Sequence, residues 1–168
     1  MPGLWQLYRA GKVGTAINIL LSEMPEIGGN MDGFNFVLPY KVRIADVNYG
    51  GHVANSAVLN FFQDGRIAYL NNLGGYSELD IGGGCGIILP EAHVKYRAEM
   101  FHNDELLIGV RVRDFSRSSF TMEYRIERHG SITAEGETAL VSYDYQTRKP
   151  RRLDSAFKEK VLFFESMK

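Results

Sequence analysis

Val42 to Leu70 reads VRIADVNYGGHVANSAVLNFFQDGRIAYL, a strand that breaks at a Gly-Gly turn and becomes a long, nearly all-apolar helix. The turn carries Asp46, Asn48, Gly50, Gly51 and His52. Its polar groups stand where the first amides of a helix have no intrahelical acceptor. Free amides and the helix dipole together suit an anionic or polarised oxygen. The helix is expected to begin near Asn55, a good N-cap residue, and to stop at Gly74-Gly75. Val58, Phe61, Phe62, Gly65 and Tyr69 share one face by helical spacing, while Leu59, Ile67, Leu70 and Leu73 fill much of the other. A helix apolar on most sides must be wrapped by something.

The wrapping material follows in the sequence. Phe34 to Ile44 reads as a first strand, with Pro39 pointing to an edge or a bulge. After the flexible Gly82–Gly86 connection the pattern alternates with period two. Ala92, Val94, Tyr96, Ala98 and Met100 share a face; Leu106, Ile108, Val110 and Val112 form the next; Phe120, Met122, Tyr124 and Ile126 a third. These are antiparallel strands with one wet face. Parity then shifts between Ile132/Ala134 and Ala139/Val141/Tyr143, which places an expected bulge at Gly136. Residues 154–168 suggest a closing helix capped by Asp154. One helix and one sheet apolar on a single face predict an α+β domain whose sheet of about five strands curls around the helix.

At 168 residues the chain fits one domain, with 45% hydrophobic and 23% charged residues. A net charge of -1 gives no reason to expect nucleic acid as a partner. The single cysteine, Cys85, excludes an intrachain disulfide and a cysteine zinc site, and fits a reducing, cytoplasmic setting. Residues 1–30 read as a partly helical extension ending at Gly28-Gly29-Asn30, leaving 31–168 as the domain. Trp5, Leu7, Tyr8, Ile17, Leu20 and Leu21 can pack on the domain or across a dimer, with membrane-surface contact as the lesser alternative. Val13 to Leu21 is interrupted by Gly14, Thr15 and Asn18, so neither a signal peptide nor stable membrane insertion is expected.

The turn D-V-N-Y-G-G-H-V-A-N, followed by a helix bearing Asp64 and Arg66, resembles the acyl-CoA thioesterases of the hotdog fold, the group of 4-hydroxybenzoyl-CoA thioesterase. The resemblance covers about residues 34–153 and extends to V-K-Y-R-A-E, N-D-E-L and Y-D-Y-Q-T-R-K-P. It implies a hotdog fold, hydrolysis of an acyl-CoA or acyl carrier protein thioester without a cofactor, and a homodimer or dimer of dimers. The usual motif is D-x-D-x-x-G-H-V-x-N, so Asn48 stands where relatives carry a catalytic aspartate. That departure supports two alternatives: a non-catalytic acyl-CoA binding protein and, less well, a hotdog dehydratase.

Thioester hydrolysis needs a polarised carbonyl and an activated water or a nucleophile. Backbone N–H groups around Gly51 to Val53 are expected to meet the first need, although Gly50-Gly51 also permits a sharp turn without any catalytic role. Asn48 can orient water or donate a hydrogen bond but cannot take a proton. Asp64 lies where relatives carry an acidic residue and is the candidate base; a structural pair with Arg66 or Arg43 is the competing reading. His52 can polarise the carbonyl or hydrogen-bond the turn, and both readings stay open. Tyr49, Gly50, Gly51, Val53 and Phe61 are the expected substrate contacts, while Asp46 braces the turn. Glu99 reads as exposed surface, with approach to a partner's site as the alternative. His93 and His102 fall on opposite strand faces, so no metal site is expected. Cys85 has nothing nearby to lower its pKa. Arg148, Lys149, Arg151 and Arg152 read first as solvated surface and second as a grip on coenzyme A phosphates or an acidic carrier protein.

Overall fold

The computed structural model describes residues 30–167, so all but the last residue of the expected N-terminal extension lie outside it. Strand β1 (Phe36–Lys41) leads through a short 3-10 turn (Ile44–Asp46) into helix α1 (Asn55–Asn72). Four long elements follow: β2 (Gly86–Tyr96), β3 (Glu105–Phe115), β4 (Ser119–Arg128) and β5 (Ser131–Asp144). A two-residue β6 (Lys149–Pro150) and helix α2 (Ser155–Glu165) close the chain. The sheet is antiparallel in the order β1-β3-β4-β5-β2, with β6 alongside β5. Among the described residues no helix is long and apolar enough to cross a membrane.

The core forms where α1 lies on the sheet. Phe61, Phe62, Tyr69 and Leu70 of α1 are fully buried against Leu106, Ile108 and Val110 of β3 and Met122, Tyr124 and Ile126 of β4. Each such side chain contributes roughly 1.5–3 kcal/mol on burial. The approach is close because two residues lack side chains. A Cβ on Gly65 would come within 2.8 Å of Val110 Cγ2. At Gly136 it would strike the His93 backbone oxygen and lie 2.8 Å from the Phe62 ring. Phe62 in turn stacks on Tyr124 with ring centroids 4.4 Å apart. Helix α2 seals the far end of this core: Phe157 packs on Phe120 and Tyr76, and the Glu165 carboxylate accepts from Tyr69 Oη (2.6 Å) and the Val112 N–H (2.9 Å).

Several expectations hold. Among the described residues β1 pairs only with β3, so Pro39 sits on an edge strand. Asp154 caps α2, accepting from the Phe157 N–H at 3.0 Å. The inward sets of β3 and β4 are buried as their alternation requires.

Others need correction. The first strand is shorter than Phe34–Ile44, because the chain turns at Ile44 to bring Asp46 under β1. The N-cap of α1 is Ala54, not Asn55, and it makes no side-chain cap. The helix is not wrapped on all sides: Leu59 and Ile67 are exposed. In β2 the expected inward row fails beyond Ile88, where a bulge at Leu89-Pro90 shifts the register. Ala92, Tyr96 and Ala98 are exposed and only Met100 is buried, because β2 is the second edge of the sheet. The bulge of β5 lies at Thr133, between the Ile126–Ala134 and Glu127–Ile132 pairs, rather than at Gly136. Its inward row is Ala134, Gly136, Thr138, Leu140 and Ser142, so the apolar Ala139, Val141 and Tyr143 face outward.

Filling the gap at Gly136 tests this packing. Gly136→Ala should lower stability by about 1–3 kcal/mol through overpacking. Urea unfolding should show a reduced midpoint with an unchanged slope.

Candidate active site

The segment between β1 and α1 is held from below by one carboxylate. Asp46 is buried and accepts from the Arg43 N–H (2.8 Å), Tyr40 Oη (2.9 Å) and the Arg43 guanidinium (3.2 Å). Burial alone would push the Asp46 carboxyl up, but the bonds from Arg43 and Tyr40 outweigh it and hold it below the usual carboxylate range. Tyr40 is pushed up to about 12 by its own burial and by Asp46, so it stays a donor. Its ring lies 4.6 Å from that of Phe61, coupling the brace to α1.

Above the brace, Val47 and Val53 bridge and the turn closes between them. The Asn48 N–H donates to the His52 carbonyl (2.9 Å), and the Gly51 N–H to the Asn48 carbonyl (3.0 Å). Gly51 takes φ +86, a left-handed conformation that favours glycine. Asn48 Oδ1 accepts the Gly50 N–H at 2.8 Å, which orients the amide: its oxygen faces the turn and its NH₂ faces away. Val53 N–H donates to the Met100 carbonyl and Ala54 N–H to that of Asp46.

These bonds correct the expected oxygen site. The amides of Gly51 and Val53 are already spent inside the fold. Among the described residues, the His52, Asn55 and Ser56 N–H groups donate to no acceptor, and Ala54 supplies no cap. The donors open to a ligand therefore include the Tyr49 and His52 amides of the turn as well as the first turn of α1. The sequence signal was present: alanine stands at the cap, where the side chain of serine, threonine, aspartate or asparagine would have bonded the Ser56 or Ala57 amide.

His52 is half-buried, and its Nδ1 lies 3.1 Å from the Val53 carbonyl oxygen. A carbonyl only accepts, so Nδ1 carries the proton and Nε2 of the neutral ring carries a lone pair. In that form Nε2 cannot donate to a carbonyl oxygen. Tyr49 is fully exposed at the tip of the turn, whereas Phe61 is fully buried and has no face toward solvent.

Asp64 makes no hydrogen bond or ion pair among the described residues. Arg66 is buried and bonds instead to Glu78 (2.7 Å) and to Tyr124 Oη (3.3 Å), and Arg43 belongs to Asp46. The structural pairing considered for Asp64 is thus taken up by other partners. Ten residues of helix separate Ala54 from Asp64, about 15 Å along the axis at 1.5 Å per residue. One chain does not bring Asp64 to the free amides.

The remaining candidates lie elsewhere. Glu99 is exposed, Cys85 is buried, and His93 bonds Glu91 at 2.6 Å. Arg151 pairs with Asp144, while Arg148, Lys149 and Arg152 are exposed. Among the described residues no group of three His, Cys, Asp or Glu is placed to hold a metal ion. Among the described residues, a cleft by His93, Arg111 and Glu137 and another by Tyr40, Leu106 and His129 open elsewhere, neither lined by the turn.

Comparison with known proteins assigns this architecture. The thioesterase-like superfamily matches residues 42–161, and the chain belongs to that family. Its fold is the hotdog fold. A thioesterase from Thermus thermophilus, solved with coenzyme A and zinc, is 27% identical with a TM-score of 0.73, covering 82% of this chain and 99% of that one. A 1,4-dihydroxy-2-naphthoyl-CoA thioesterase from Synechocystis shares the fold at 21% identity and a TM-score of 0.69, covering 76% and 95%. A putative esterase of Aquifex aeolicus is 24% identical over 105 residues, 61% of this chain and 80% of its own.

The brace predicts a pH signature. The folded pKa of Asp46 is depressed below its unfolded value of about 3.9, so its contribution is complete above that pH and lost as pH falls through the folded value. Asp46→Asn should cost about 1–3 kcal/mol at neutral pH. Urea stability of this variant should then decline less than that of the wild type on acidification. Asp104 and Asp144, also depressed, remain in both proteins and cancel in the comparison.

Proposed function

We propose that this chain hydrolyses an acyl-CoA thioester to a free acid and a thiol, as a homodimer whose second copy completes the site. The observation that carries this reading is the uncapped start of α1, whose Asn55 and Ser56 amides are free directly after the turn that carries Asn48 and His52. A thioester oxygen placed there gains two backbone donors and the helix dipole as negative charge develops on it. The coenzyme A held by the Thermus relative supports the choice of thiol.

The second copy is argued from the sheet edge. Among the described residues strand β2 is paired with β5 alone, and its second half is largely exposed, as are Leu59 and Ile67 on α1. Tyr96 Oη donates to the Asn55 carbonyl at one end of β2, and the Ile87 N–H donates to the Glu78 carbonyl at the other, so β2 and α1 run in opposite senses. A two-fold axis that pairs β2 with its copy sets the two α1 helices antiparallel. The Asp64 of one chain then approaches the turn of the other. The proton acceptor is accordingly either Asp64 of the second copy or a group in the turn itself.

The reading is tested by thiol release from acyl-CoA esters of short, long and aromatic acids. Hydrolysis of at least one ester above the uncatalysed rate is expected. Saturable binding without turnover would instead favour the non-catalytic alternative, for which the loss of the motif aspartate at position 48 speaks. Asn55→Pro probes the oxygen site. Proline fits the first helical position, and Ala54 already has the extended backbone that proline requires of its predecessor (φ -64, ψ 143). The variant should keep its thermal midpoint within a few degrees yet lose about 10²–10³ in kcat, the usual worth of one oxyanion donor. Asn55→Ala, which keeps the amide, should stay near wild type.

A further inference from the structure

We infer that His52 is the proton acceptor for the attacking water, in a site where asparagine has replaced the motif carboxylate. The inference rests on the thioesterase reading above. Three features of the turn carry it.

The first is the tautomer. The Val53 carbonyl at 3.1 Å holds the proton on Nδ1 and fixes the ring, leaving the Nε2 lone pair as the reactive side. The second is the crowding over Gly50. A Cβ there would lie 3.2 Å from His52 Nε2 and 3.0 Å from Asn48 Oδ1, so the two side chains converge over this glycine and a larger residue would push them apart. Water reaching Nε2 from the solvent side can donate to its lone pair, while the Asn48 NH₂, turned away from Gly50, is left to donate to the thioester carbonyl. The third is connectivity. His52 lies three and four residues before Asn55 and Ser56, whereas Asp64 of the same chain lies about 12–14 Å from them along α1. Acceptor and oxygen site thus lie within five consecutive residues of one chain.

The asparagine then has a chemical purpose. A carboxylate at position 48 would stand beside Nε2 and favour imidazolium, which has no lone pair to accept a proton. The neutral amide avoids this. In the reaction, water oxygen bonds to the thioester carbon as its proton passes to Nε2, and the carbonyl electron pair moves onto the oxygen held at α1. Collapse breaks the C–S bond, the sulfur keeps the pair, and the imidazolium returns its proton to give the thiol. The acid formed ionises to water.

The test pairs an activity readout with one that needs no substrate. His52→Ala should lower kcat by about 10²–10⁴, the usual contribution of general-base catalysis, and added imidazole should restore part of it in a saturable way. A structural role would give no such rescue. Nitrogen-edited NMR of the imidazole in the wild type should show Nδ1 protonated and Nε2 bare near neutral pH. An Nε2–H tautomer, or His52→Ala with wild-type kcat, would overturn the inference while leaving the hydrolase reading intact. Loss of activity in Asp64→Asn together with a fully active His52→Ala would do the same and assign the proton to the second copy. Absence of thiol release by the wild type from every ester would overturn the hydrolase reading and this inference with it.

Discussion

Helix α1 can touch the sheet so closely only because Gly65 and Gly136 remove side chains from the contact. Phe62 drops between Tyr124 and the backbone of β5, while Gly65 rides on Val110 and Ile108. The interior is close-packed, so the helix has one seat along its axis and one rotation about it. Everything at its N-terminus inherits that position. The proposed reaction site at the Asn55 and Ser56 amides depends on that close packing to hold its place.

A second constraint fixes the turn against that seat. Asp46 gathers donors from β1 and the 3-10 turn, and its own carbonyl accepts the Ala54 N–H. A buried carboxylate with this many donors is expensive to break, because each donor would be left without a partner. The turn above it can then spend its remaining polar groups outward. Asn48 spends its oxygen on Gly50, and His52 spends Nδ1–H on Val53. What is left over is an NH₂, an imidazole lone pair and the first amides of a helix.

Much of the fold was legible because apolar periodicity reports burial directly. The inward rows of β3 and β4 and the buried face of α1 follow it residue by residue. It misled at β2 and β5. An edge strand can alternate without being buried, as Ala92 and Tyr96 show, and β5 turns its threonines and Ser142 inward while valine and tyrosine face out. The site was legible as a stretch but not as a hydrogen-bond network. Sequence could place free amides at the turn, yet only the geometry reveals that Gly51 and Val53 are spent and Asn55 and Ser56 are not. Likewise, helix spacing shows Asp64 on α1 but gives no sign of which chain it serves.

The central claim is that the open start of α1 polarises a thioester carbonyl. The most direct measurement is the isotope-edited infrared spectrum of a bound acyl-CoA analogue, with a methylene in place of sulfur and a ¹³C label at the carbonyl. The account predicts a carbonyl stretch shifted to lower frequency than in water, with the shift reduced in Asn55→Pro. A frequency equal to that in water, unchanged by the proline, would contradict it.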